Sequence, residues 1–344
     1  MLLQEYQPRS ELVLKETYVE KPAFPVYDCH THWGKLMMGD GYTELYDTAA
    51  VVASLREKGI QAVVNLDGFD FKELDKMKQK IAGQEDFFLN FGNVDVSRLD
   101  EPDFGDYVKS SLCYGVSQGI RGLKFWKPIG LGIKDSSGKY ITPDDERLRV
   151  IWEEAARYSL PILFHIADPP AFFRPIDRFN ERWEELGAHP DWSFCAPELY
   201  SFEQLMEMQQ NLLRKNPDTT FIIAHAGSYS ENLSQVAQWL DEFPNMRIDI
   251  AARIGDLSRQ PYTARRFCMK YSKRIFFGTD FHPIESPDSY NIYYRILETD
   301  DEYFDYSLSP TGGQGRFKAY GLYLPQETLE DIYCGNFKRL FHIS

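Results

Sequence analysis

Short apolar runs recur along this chain, each followed by a segment whose apolar residues fall at helical spacing. The runs begin near residues 26, 61, 87, 120, 161, 220, 246 and 274. Typical ones are Ile60-Gln61-Ala62-Val63-Val64-Asn65-Leu66 and Thr220-Phe221-Ile222-Ile223-Ala224. Runs of this length bounded by turn residues predict strands, and the amphipathic segments between them predict helices. Helices are expected over Tyr46 to Lys58, Phe71 to Ala82, Tyr107 to Gln118, Pro143 to Tyr158, Phe202 to Lys215, Leu233 to Phe243, Pro261 to Tyr271 and Gln326 to Phe341. Thr142 would cap the fourth of these, with Pro143 at its first position. Eight strand-helix units in succession predict the α/β class and a (β/α)8 TIM barrel. No glycine-rich dinucleotide fingerprint follows an early strand, which weighs against an open doubly wound sheet.

Two stretches depart from the rhythm. Residues 1–24 read as an N-terminal arm, leaving 25–344 as a single barrel domain. Residues 167–200 form an aromatic, proline-rich insertion after strand 5, with Phe172, Phe173, Trp183, Trp192 and Phe194 beside Arg174, Arg178 and Arg182. A long insertion in a compact unit is commonly a lid or a substrate loop. Its aromatics could instead pack at a subunit interface, which leaves a homodimer open.

Composition narrows the classes. With 43% hydrophobic residues, 15% of all residues aromatic, the chain can build a sizeable core. No apolar run approaches the roughly 20 residues that span a bilayer, so no membrane association is expected. The first residues lack the apolar core of a signal peptide, which points to the cytoplasm. Lys and Arg number 38 against 52 Asp and Glu, a net charge of −14 that makes nucleic acid an improbable partner. A small-molecule substrate is the expected partner. The five cysteines (Cys29, Cys113, Cys195, Cys268, Cys334) are scattered, with no CxxC pair, and read as reduced, mostly buried residues.

The chemistry lies at the strand ends. Four of the seven histidines close three expected strands: His30 and His32 the first, His165 the fifth and His225 the sixth. Asp280 closes the eighth. Strand alternation puts His30 and His32 on one face, with Cys29 and Thr31 on the other. Active sites of such barrels sit at the C-terminal strand ends, and imidazoles with a carboxylate suit a divalent transition metal. Each histidine alone would more simply be a hydrogen-bonded core residue; together with Asp280 they predict a metal site. Asp67 and Asp249 are either partners of those histidines or strand-end caps. His189 and His342 read as structural.

The motifs Asp28-Cys29-His30-Thr31-His32, Gly122-Leu123-Lys124, Phe164-His165, Ala224-His225-Ala226-Gly227, Gly278-Thr279-Asp280 and Ile332-Tyr333-Cys334-Gly335-Asn336-Phe337 span nearly the whole chain. In this order the set resembles the amidohydrolase superfamily, specifically the amidohydrolase family 2 branch near aminocarboxymuconate-semialdehyde decarboxylase. The resemblance implies one divalent metal, zinc first with manganese or iron as alternatives, on His30, His32, His165 and Asp280. It gives His225 and Asp280 the catalytic roles. Lys124 at the end of strand 4 would bind substrate, unless carboxylation lets it bridge two metals as in binuclear members. Arg174, Arg253 and His282 are further substrate-binding candidates, with Arg182 beside them; each arginine could equally be paired with this acidic surface, and His282, which departs from the family pattern, could equally be a solvated loop residue.

The expected activity is metal-dependent hydrolysis of an amide, ester or lactone of a small carboxylated molecule by activated water. The alternative is non-oxidative decarboxylation of a small carboxylic acid on the same residues. A third reading is a binding protein with a vestigial site, against which the intact donor set argues.

Overall fold

The computed structural model describes residues 9–68, 71–307 and 313–343. Eight parallel strands carry the architecture: β1 (Val26–Thr31), β2 (Ile60–Asn65), β3 (Phe88–Asn90), β4 (Leu123–Phe125), β5 (Ile162–Phe164), β6 (Phe221–Ile223), β7 (Met246–Asp249) and β8 (Ile275–Phe276). The first three pair as one sheet and the other five as another, each strand beside its successor. Single bridges close the ring, Gly92 just after β3 to Leu123 of β4, and Thr31 of β1 to Phe281 in the segment after β8. The (β/α)8 barrel expected from the sequence is thus present.

Alternation along the strands sorts two cores. Val63, Phe88, Leu123, Phe125, Ile162, Phe164, Phe221, Ile223, Met246 and Ile248 belong to the large cluster packed against the surrounding helices. Ala62, Val64, Leu89, Leu163, Ile222 and Phe276 form a second cluster inside the ring, joined by Phe337 and Phe341 of the C-terminal helix. Those two rings fill the lower barrel, so the interior is open to chemistry only at the C-terminal strand ends.

The first strand breaks the simple alternation. Tyr27 and Cys29 pack with the inner cluster, yet His30 also faces inward, because the pairing with β2 shifts register between Asp28 and Thr31. Such an irregularity adds a residue to one strand and re-aims the next side chain. The expectation that Cys29 points away from the histidines is therefore corrected: it lies inside the barrel, while Thr31 turns outward to the Val64 carbonyl, 2.7 Å away.

Element ends differ from expectation where capping decides. The helix expected over 143–158 runs only Arg149–Arg157, preceded by a 3-10 turn, Glu146–Leu148. Asp145, not Thr142, is the cap, its carboxylate accepting from the Arg147 backbone N–H. The C-terminal helix is continuous but carries a π-helical segment at Asp331–Gly335. The stretch before it contains a two-stranded antiparallel ribbon, Phe304–Asp305 with Lys318–Ala319. Of the N-terminal arm, residues 1–8 lie outside the described residues; Thr17 ties it down, its backbone N–H and hydroxyl donating to Asp301. Among the described residues no helix is long and apolar enough to cross a membrane.

Candidate metal centre

Four imidazoles and one carboxylate meet at the mouth of the barrel. His30 donates from Nδ1 to Asp249 at 2.8 Å, and His32 from Nδ1 to Asp67 at 2.5 Å. A ring nitrogen that donates to a carboxylate fixes the tautomer and leaves the other nitrogen as a lone pair. Both Nε2 atoms then face Asp280 Oδ1, at 3.3 Å from His30 and 3.1 Å from His32. His225 follows the same logic with a different partner. Its Nδ1 donates to the Ala251 carbonyl at 2.8 Å, so its Nε2 carries the lone pair. His165 is turned the other way: Nδ1 lies 3.3 Å from His225 Nε2, and Nε2 lies 3.2 Å from Asp168. That approach to Asp168 is close enough for an ion pair but poorly aligned, so His165 Nε2 completes no hydrogen bond among the described residues.

Asp249 organises two of these rings. It is fully buried, and while Oδ2 takes the His30 ring proton, Oδ1 accepts the backbone N–H of His225 at 2.8 Å and of Ala251 at 3.0 Å. One carboxylate thereby sets the His30 tautomer and the turn that presents His225. That turn is unusual. His225, Ala226, Gly227 and Ser228 all have positive φ, as does Asp280 at 71°. For residues with a Cβ this conformation costs energy, and it persists where the surroundings over-determine it, commonly at functional sites. From β1, Asp28 holds the chain just before Asp280, accepting from the Thr279 and Tyr290 hydroxyls.

Charge states follow from burial and neighbours. Burial, reinforced by the Lys124 charge, holds His30 well below the ordinary imidazole range, and burial with His165 does the same for His225. Both rings are neutral donors. Burial alone would raise Asp280, but His30 and His32 outweigh it and keep the carboxyl ionised. For His32, burial pulls downward and Asp67 with Asp280 pulls harder upward, to about 9. A cation on His32 Nε2 must therefore compete with a proton. Ligand atoms of His30, His225 and Asp280 already lie within 4.8 Å of one another. Inward lone pairs on His30 and His225, with the ionised Asp280 beside them and His32 able to join on losing its proton, fit a divalent cation.

Lys124, expected at the end of β4, is 99% buried and places Nζ 3.3 Å from His30 Nε2. Burial lowers its pKa to about 8. Arg253 is buried beside the site, donating from Nη1 to the Ala252 carbonyl. Arg174 is exposed on the segment after β5, and His282 turns to Glu285 at 3.0 Å. Arg182 does not clamp a substrate: it is buried, with Nη2 donating to both oxygens of Asp256 at 2.9 and 3.2 Å. It anchors the segment between β5 and the helix Phe202–Lys215 to the β7 side of the barrel. Of the aromatics in that segment, Phe172 is buried, while Trp183 and Trp192 are exposed.

Sequence reasoning left Asp67 and Asp249 open, and the structure makes both of them histidine partners. It missed Asp168 and Lys127 altogether. The spacing His165-x-x-Asp168 at a strand end was the available signal, since a carboxylate three residues on can turn back to the ring.

The amidohydrolase family pattern matches residues 27–343. No curated protein matches the chain in sequence. Among solved structures, a Staphylococcus aureus protein described as an amidohydrolase aligns at 14% identity and a TM-score of 0.57, covering 92% of this chain and 99% of its own. The 4-oxalomesaconate hydratase of Rhodopseudomonas palustris aligns at 12% identity and 0.51, covering 92% and 96%. The IDCase of Metarhizium anisopliae aligns at 14% and 0.50, covering 87% and 79%. At these identities the likeness establishes the fold, and the family match over nearly the whole chain agrees with the motifs at its strand ends. The chain belongs to the amidohydrolase family, in its family 2 branch, and is an enzyme of that superfamily.

Proposed function

We propose a hydrolase that uses one divalent metal, zinc first with manganese or iron as alternatives, to cleave an amide, ester or lactone of a small carboxylated molecule. The observation that carries this reading is that each of the four imidazoles has one nitrogen facing a carboxylate or carbonyl and the other turned toward Asp280 or a neighbouring ring. His30, His32, His165 and Asp280 would hold the ion. Such an ion supplies Lewis acidity, polarising a substrate carbonyl and lowering the pKa of water toward ~7.

The chain's own groups do the rest. Asp280, ionised and 27% exposed, can take a proton from attacking water and return it to the leaving group. His225 in its observed tautomer offers a lone pair at Nε2, so it accepts a proton or positions water rather than donating to an oxyanion. The Lys124 ammonium is the cation placed to meet developing negative charge. Decarboxylation of a small acid would use the same donors and is the competing outcome.

A panel of carboxylated lactones, esters and amides, offered to zinc-loaded protein, tests this. The expected result is release of the hydrolysed acid, lost on chelation and regained with zinc. Carbon dioxide release without hydrolysis would transfer the site to the decarboxylase reading. No turnover of any kind by zinc-loaded protein would overturn both.

A further inference from the structure

Beside the donor cluster, Lys127, His165 and Arg253 surround one carboxylate. Asp168 is buried, with Lys127 Nζ 2.5 Å from its Oδ2 and His165 Nε2 3.2 Å from its Oδ1. Arg253 approaches the same Oδ1 but stops at 4.0 Å, and its Nε stops at 4.0 Å from Asp256. Arg253 is only 7% exposed, and beyond the Nη1 donation to the Ala252 carbonyl its guanidinium gains no hydrogen-bonded counter-ion from either acid. Asp256 is already engaged by Arg182, Arg259 and Ser230. Asp168 is engaged by Lys127, itself seated over the Phe194 ring at 5.2 Å. A largely buried guanidinium whose Nε and Nη2 edge is not hydrogen-bonded to an acid is a site for a planar anion.

We propose that Arg253 is the carboxylate-binding residue for a substrate carrying a second anionic group away from the scissile bond, and that Lys127 is a positioning residue that keeps Asp168 from occupying Arg253 itself. The proposal rests on the hydrolase reading for the first group and adds the second. The three charges Lys127, Arg253 and Asp168 leave one net positive charge at this edge of the site, so a dianion is matched and a neutral tail is not. Without Lys127, Asp168 needs to move only about 1 Å to hydrogen-bond Arg253 and fill the subsite from within.

The probes are glutarate and butyrate, a dicarboxylate and a monocarboxylate of similar length, titrated calorimetrically into zinc-loaded protein. Wild type is expected to bind glutarate about tenfold or more tightly than butyrate, the scale of one charge-assisted hydrogen-bonded contact. Arg253→Met should abolish the preference, and so should Lys127→Met. The double variant Lys127→Met/Asp168→Asn should regain it, because the internal competitor is then neutral. Taking the ratio of the two ligands cancels any change at the metal. No preference in wild type, or one that survives Arg253→Met, overturns the proposal; failure of the double variant to recover overturns the role given to Lys127. Zinc stoichiometry in the same samples reports separately on the metal, and the Arg253 dependence of butyrate binding in zinc-free protein reads the anion site without it.

Discussion

Replacing Asp280 by Asn should lower kcat/KM by about three orders of magnitude on any substrate the wild type hydrolyses. The substitution is unusually clean. Asp280 has φ of 71°, and Asn is the residue after Gly that best tolerates this region, so the backbone need not move. Its backbone N–H still donates to the His30 carbonyl, which closes β8 onto β1. What disappears is the negative charge that faces His30 and His32, and with it the group that accepts a proton. Steady-state kinetics with matched metal loading check this. A variant that retained more than a tenth of wild-type activity would remove Asp280 from the chemistry.

A pair of substitutions at Asp249 separates stability from metal binding. Asp249→Ala strands three buried donors at once: His30 Nδ1 and the backbone N–H groups of His225 and Ala251. Each unsatisfied buried donor costs about 1–3 kcal/mol, so a loss of about 3 kcal/mol or more is expected in urea unfolding. Asp249→Asn should spare most of that, because its carbonyl oxygen can still accept both backbone N–H groups. Its amide NH2 would then face His30 Nδ1, and only the other tautomer accepts that bond, which turns a proton toward Asp280 at Nε2. Metal affinity should therefore fall about 10–100-fold or more in Asp249→Asn even though the fold holds. Equal metal affinity in wild type and Asp249→Asn would break the link drawn between Asp249 and the His30 lone pair.

The barrel was readable because each strand is a run of apolar residues covered on both faces, and the site was readable because its polar residues interrupt those runs at one end. Five groups, His30, His32, His165, His225 and Asp280, could be picked out on that ground alone. What alternation could not show is the register shift in β1, since Asp28-Cys29-His30 reads as an ordinary strand and only pairing with β2 turns both Cys29 and His30 inward. The left-handed turn at His225 was equally hidden. Ala226 has no propensity for it, and Asp249 imposes it from the next strand. Arg182 stayed open between a substrate clamp and an ion pair for a related reason. An arginine among aromatics suits either reading until Asp256, 74 residues on, proves to be its partner. Long-range pairing of charges leaves no local pattern in a chain this acidic.

The most direct test is the metal content of protein purified without chelator, wild type against His165→Ala. One equivalent of a divalent transition metal per chain, lost in His165→Ala, is the expected result. Two equivalents in wild type would contradict it by making Lys124 a bridging ligand, and none after zinc is supplied would contradict the metal centre altogether.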